Sequence, residues 1–144
     1  MADRKSVFHL PTIATVDRDG APSLRTVVLR EVDTDRRTVR FHTDHRSPKI
    51  QELKTEPRVA LHVYDPVLQT QLRFAGHTKI HHRETPAQAA WEESAPMSRL
   101  CYAAPDATGA IVSAPPTALR LDEVRDGEGY ENFCVVVLTV VRLE

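Results

Sequence analysis

The chain has 144 residues, 41% hydrophobic and 27% charged, a length and composition that suit one ordinary globular domain spanning residues 1–144 and exclude a disordered or collagen-like chain. Lys and Arg (19) nearly balance Asp and Glu (20), so the net charge of -1 lacks the positive excess that a nucleic-acid backbone demands. The longest apolar run, CVVVLTVV from Cys134 to Val141, falls well short of the ~20 residues of a membrane-spanning helix, so neither nucleic acid nor membrane is an expected partner.

The opening MADRKSVFHL carries basic residues without the apolar core of a signal peptide, so export is not expected. Cys101 and Cys134 have no paired spacing and suit reduced, buried or half-buried thiols in a cytoplasmic protein. PTIATV (11–16) alternates as a strand and leads into DRDG, whose Asp-Gly is a hairpin signal. SLRTVVLREV (23–32) is rich in β-branched residues and predicts a second strand, TDRR a turn, and TVRFHT (38–43) a third strand.

A helix fits SPKIQELKTE, with Ser47 as cap, Pro48 at the first helical position and Pro57 as stop. VALHVYD (59–65) and QTQLRFAGHTKIHH (69–82) read as two more strands around a turn at Pro66. Residues 86–103 carry helix formers broken by Pro96 and predict two short helices, with Trp91 as their core anchor. Residues 104–129, with Pro105, Pro115 and Pro116, predict a surface excursion with a helical turn near Leu119. NFCVVVLTVVRLE then reads as a strand buried on both faces. Six strands and few helices predict a mainly β fold closed into a small barrel.

The stretch FHTDHRSPK concentrates the chemistry. A helix's first turn leaves backbone N–H groups unpaired at the positive end of its dipole, which suits an anion. Ser47 and Lys49 add a hydroxyl and a cation there, Thr43 another hydroxyl, and Arg25 on the neighbouring strand a guanidinium fork suited to phosphate. The plainer account makes Ser47 a cap, Pro48 a helix starter and Lys49 a solvated lysine. Arg25 and Arg30 stand an odd number of residues apart, so a regular pleat points them to opposite faces unless the strand is bulged. His77 and His81 share a strand face but have no evident third ligand, so no metal site is expected. His42 and His45 flank the turn and serve ligand or surface equally well.

RTVVLR followed by FHTD, SPK, PRVALH and QLRFAG, in that order within residues 10–82, resembles the pyridoxamine 5'-phosphate oxidase-like family of FMN-binding split barrels. The closing ENFCVVVLTVVRLE is similar to a later strand of one branch of that family. The resemblance implies a six-stranded antiparallel Greek-key split barrel, a homodimer, and FMN at the subunit interface. By position it implies that Arg25 and Lys49 hold the FMN phosphate with Thr43 and Ser47. The stretch Thr26, Val27, Val28 and Leu29 would lie along the cofactor, and Gln71 near the flavin ring. Arg30 falls where the oxidase has a lysine and His42 where it has a tyrosine.

The departures separate cofactor binding from vitamin B6 chemistry. Pro48 stands where the oxidase has the arginine of S-R-K. After Trp91 only Ser98 and Arg99 loosely match the oxidase's tyrosine, arginine and serine for pyridoxal phosphate. The oxidase's final segment, with its tryptophan and arginines, has no counterpart before Glu144. The expectation is therefore a flavin-dependent oxidoreductase acting on an unidentified small molecule. The alternative is a non-catalytic module that holds FMN or haem.

Overall fold

In the computed structural model, residues 6–144 are described; the first five, which hold part of the stretch read for export signals, lie outside them. Seven strands form one antiparallel sheet: β1 (Thr12–Val16), β2 (Pro22–Thr26), β3 (Leu29–Asp33), β4 (Thr38–Asp44), β5 (Arg58–Asp65), β6 (Thr70–His81) and β7 (Phe133–Leu143). Their order across the sheet is β2-β1-β5-β6-β7-β4-β3. The expected six-stranded closed barrel is thus corrected, among the described residues, to seven strands with no ladder between the two edges. The extra strand arises because the predicted strand 23–32 is broken at Val27 and Val28.

That break places consecutive strands at opposite edges. Flat, seven strands would hold their outer strands about 29 Å apart at ~4.8 Å per gap. The step from Thr26 to Leu29 spans at most about 11 Å. The sheet must therefore curl until its edges approach, with the chain itself crossing the seam. Val27 stays tied to the roll by its N–H, which donates to the Pro11 carbonyl at 3.0 Å.

Turn chemistry sets the local joints. At the β1–β2 turn the Asp17 carboxylate accepts from the N–H groups of Asp19 (2.9 Å) and Ala21 (2.8 Å), and Gly20 takes a left-handed φ of +83° that a Cβ would strain. Pro48 starts helix α1 (Pro48–Thr55), whose Ile50 and Leu53 are buried against the inside of the roll. Ile13, Phe41, Leu61, Val136 and Leu138 fill that interior.

A second core lies on the outer face of β7. Helices α2 (Thr85–Glu93) and α3 (Pro96–Ala103) bring Ala87, Ala90, Trp91 and Tyr102 onto Phe133 and Val135. Trp91 packs its ring edge-on to Phe133 at 5.3 Å and carries the Arg99 guanidinium 5.0 Å from its centroid, so it is the core anchor its sequence context suggests. Strand β7 is buried on both faces only from Phe133 to Val136; Thr139 and the stretch from Val141 on are exposed, which corrects the expected two-sided burial of the whole strand, because the helices cover only its first half. The helical turn expected near Leu119 forms as a 3-10 turn over Leu121–Glu123. Cys134 is buried as expected, whereas Cys101 is exposed on α3; both are free thiols. Among the described residues no helix is long and apolar enough to cross a membrane.

The pairing of β6 with β7 shifts register between Ala75 and Gly76. A Cβ on Gly76 would fall onto the Thr139 carbonyl oxygen and within 2.9 Å of Leu138 Cδ1, so only glycine lets the two backbones approach. Gly76→Ala is expected to lower stability by about 2 kcal/mol or more, as overpacking against rigid backbone does. An unchanged urea midpoint would show that the bulge yields instead.

Candidate functional site

The rolled sheet brings the N-terminus of α1 against β1, β2 and the end of β4. Thr15, Thr43, Asp44 and Ser47 are all buried there, an unusual density of polar groups in the interior. Lys49 Nζ donates to Thr43 Oγ1 at 2.7 Å and to Ser47 Oγ at 3.2 Å. The Ser47 hydroxyl makes no capping bond to α1, which corrects the plainer account of this serine as an N-cap. Its oxygen receives the lysine instead.

Arg25 reaches the same corner from β2. Its guanidinium donates to Thr15 Oγ1, to Ser23 Oγ at 2.5 Å and to Glu52 Oε2 at 2.8 Å. Thr15 Oγ1 in turn donates to Glu52 Oε2 at 2.5 Å. Glu52 thus orients Arg25 and balances its charge, whereas Lys49 has only hydroxyls. Burial, and then the repulsion of Arg25, lower the Lys49 pKa from its ordinary value. With Glu52 paired to Arg25 and Asp44 to Arg46, Lys49 leaves a net positive corner at a helix N-terminus, which an anion would complete. Phosphate, with several acceptor oxygens and up to two charges, matches that donor set; the site fits the phosphate end of FMN.

The remaining sequence-predicted residues do not converge on this corner. Thr26 and Gln71 are exposed. The Gln71 Oε1 lies 3.0 Å from His62 Nε2 on β5, on the outer face of the sheet, while Leu61 and Phe74 on the adjacent pairs turn inward. Val27, Val28 and Leu29 form the link across the seam, with Val27 buried inside. Arg30 sits beyond it, where the pairing of β3 with β4 shifts register between Leu29 and Glu31. With the strand broken and then bulged, the odd spacing of Arg25 and Arg30 no longer fixes their relative direction. Arg25 serves the α1 corner, while the charge of Arg30 is felt by His42, Cys101 and Tyr102 on the α3 side.

Sequence reading missed Thr15, Glu52, Asp44 and Arg46. Glu52 had a signal, since it follows Lys49 by three residues and so shares its helix face. Thr15 had none, because its place opposite Ser23 depends on hairpin register. Asp44 is fully buried and its carboxylate is held by Arg46 through Nε at 3.0 Å, a terminal nitrogen at 2.7 Å and the backbone N–H at 2.8 Å. Those contacts occupy Arg46, so it does not replace the arginine that Pro48 displaces. The other histidines pair locally: His45 stacks on His82 at 3.7 Å, and His81 Nδ1 lies 2.8 Å from Glu84 Oε2. His77 and His81, four strand residues and roughly 13 Å apart, are too distant to share one ion.

His42 lies on the outer face of β4, its ring edge-on to Phe133 at 5.0 Å, with a buried Nε2 that has no hydrogen-bond partner. Burial, and then Arg40 and Arg30, lower its pKa from 6.5 to about 3. Below pH 6.5 the unfolded chain takes up a proton that the folded protein refuses, so stability falls as pH drops from 6.5 towards about 3. His42→Gln is expected to flatten that decline in urea midpoints measured between pH 7 and pH 4, and an equally steep decline in the variant would place the titration elsewhere.

The family model for the pyridoxamine 5'-phosphate oxidase FMN-binding domain matches residues 2–82. The chain is similar to the pyridoxine/pyridoxamine 5'-phosphate oxidase of Gloeothece citriformis, 36% identical over 119 residues, covering 80% of this chain and 52% of that protein. It is also similar to the same-named protein of Nostoc punctiforme, 38% identical over 89 residues, covering 62% and 40%. It therefore spans about half the length of these curated relatives or less. Among solved structures, a pyridoxamine 5'-phosphate oxidase-related, FMN binding protein from Nostoc punctiforme superposes with a TM-score of 0.74 at 28% identity, covering 94% of this chain and 72% of that one. The match to more than half the chain, running through β1 to β6 and the α1 corner, makes this protein a member of the pyridoxamine 5'-phosphate oxidase FMN-binding domain family, whose cofactor is FMN.

Proposed function

We propose that the α1 corner is the FMN phosphate site and that the protein is a flavin-dependent oxidoreductase acting on a small molecule. The observation that carries this reading is Lys49, a half-buried cation with hydroxyl partners and no carboxylate, set beside Arg25 where α1 begins. In this reading Arg25 and Lys49 hold the phosphate with Thr43 and Ser47, and the stretch Thr26–Leu29 lies along the flavin. Bound FMN supplies hydride and single-electron chemistry. The chain's part is to bind, orient and shield it. Arg30 offers a positive charge beyond the seam that stabilises negative charge on a reduced ring.

Gln71 faces outward and Arg25 faces the α1 corner, so one chain does not bring both to one cofactor. A homodimer with FMN at the interface accounts for both, and exposed Leu24, Tyr64 and Leu68 provide apolar surface for such contact. Two free thiols and a family of enzymes of small-molecule metabolism favour the cytoplasm as its location.

Purified protein mixed with FMN and freed of excess is expected to retain a flavin absorption spectrum in proportion to chains, and to sediment as a dimer. Arg25→Ala and Lys49→Ala should each weaken FMN binding about tenfold to a hundredfold, since a hydrogen bond to a charged group contributes ~1.5–3 kcal/mol. Affinity should also fall as pH rises through the lowered Lys49 pKa, and lose that part of its dependence in Lys49→Ala. A colourless protein, or variants that bind FMN as wild type does, would sink the phosphate assignment. Flavin that is bound but never reduced by any donor would make the protein a binding module.

A further inference from the structure

Arg46 has partners on two sides of the molecule. On one side it holds the buried Asp44 and, through it, the turn whose Ser47 N–H donates to the Asp44 carbonyl at 3.0 Å. On the other it donates to the carbonyls of Ala104 and Pro105, each at 2.9 Å, where the chain leaves the C-terminus of α3. These carbonyls belong to the end of a helix, where the backbone is short of donors and favours a cation. A single planar guanidinium thus ties the anion-binding turn to residues some sixty positions away. The segment it anchors, 104–119, folds over α3 to form a groove of about 530 Å³, lined mostly by apolar side chains such as Met97, Leu100, Val112 and Leu119. Among the described residues little else fixes this segment by hydrogen bonds: inside it, only the Ala110 N–H donates to a backbone carbonyl, that of Ala107.

We propose that Arg46 is a positioning residue that couples the phosphate turn to the 104–119 segment, so that an anion seated at Ser47 and Lys49 holds the groove beside α3 in its closed form. The inference rests on the reading of the α1 turn as the FMN phosphate site. An anion on Ser47 and Lys49 stiffens the turn that carries Asp44 and Arg46, and a stiff Arg46 keeps its contacts with the carbonyls of Ala104, Pro105 and, at 3.5 Å, Asp106. By linkage the effect is reciprocal: the factor by which the anion suppresses opening of the segment equals the factor by which freeing the segment weakens the anion.

The test is hydrogen–deuterium exchange of the 104–119 amides in wild type, Arg46→Ala and Arg46→Lys, alone, with FMN and with inorganic phosphate. Arg46→Lys keeps a cation beside the buried Asp44 and so preserves the fold, while lacking the fork that spans both sides. Expected in wild type is exchange slowed about fivefold or more by FMN, the scale of ordinary site coupling. In both variants exchange should be fast without ligand, insensitive to FMN, and matched by a similar loss of FMN affinity, with β7 amides as protected as before. FMN protection of the segment that survives in the variants, or unchanged FMN affinity, would overturn the coupling. A wild type that responds to phosphate but not to FMN would sink the FMN reading and leave the coupling standing. A wild type whose segment responds to neither would overturn it.

Discussion

The structure depends on the short link between Thr26 and Leu29. Because it joins the two outer strands of a seven-stranded sheet across a gap it can span only if the sheet rolls, it converts a meander into a curved wall with an inside and an outside. The inside takes Ile13, Phe41 and Leu61 and the apolar face of α1. The link also divides the function. Arg25, just before it, faces the N-terminus of α1, while the charge of Arg30, just after it, is felt by His42, Cys101 and Tyr102.

The charges of the α1 corner are sorted by partner. Arg25 is satisfied by Glu52, and Asp44 by Arg46; Lys49 is left with two hydroxyls. Burying an ammonium group on neutral partners is unfavourable, which is why its pKa moves down. The Arg25–Glu52 pair plays a different part. It keeps the guanidinium in place and neutral in sum, so that Arg25 is not left as a second unpaired cation beside Lys49.

The second core explains why the first half of β7 is so uniformly apolar. Cys134, Val136 and Leu138 face the inside of the roll, Phe133 and Val135 face Trp91 and Tyr102, and no position from Phe133 to Val136 meets water. His42 is caught at the edge of this outer core among aromatic rings and arginines, which is why it stays neutral. Its burial belongs to the packing of α2 and α3 and not to the α1 corner, although His42 and Thr43 are adjacent residues on β4.

Most elements were legible from local rules. The Asp-Gly hairpin, the Ser-Pro helix start, the helices either side of Pro96 and the apolar last strand each follow from turn chemistry or periodicity acting over a few residues. The ordered motifs RTVVLR, FHTD and SPK likewise carried the family and its cofactor. What sequence could not supply was everything set by contacts between distant segments. The break at Val27 and Val28 occurs in β-branched residues that favour a strand, because rolling the sheet overrides local preference there. The pairing of Arg25 with Glu52 and Thr15, the exposure of Cys101 and the reach of Arg46 to Ala104 depend on how strands register and helices dock. Sequence alone determined which residues carry charge and where most strands and helices begin. Only the tertiary structure decided which charges meet, because that is fixed by the curl of the sheet, a property of seven strands together and of none singly.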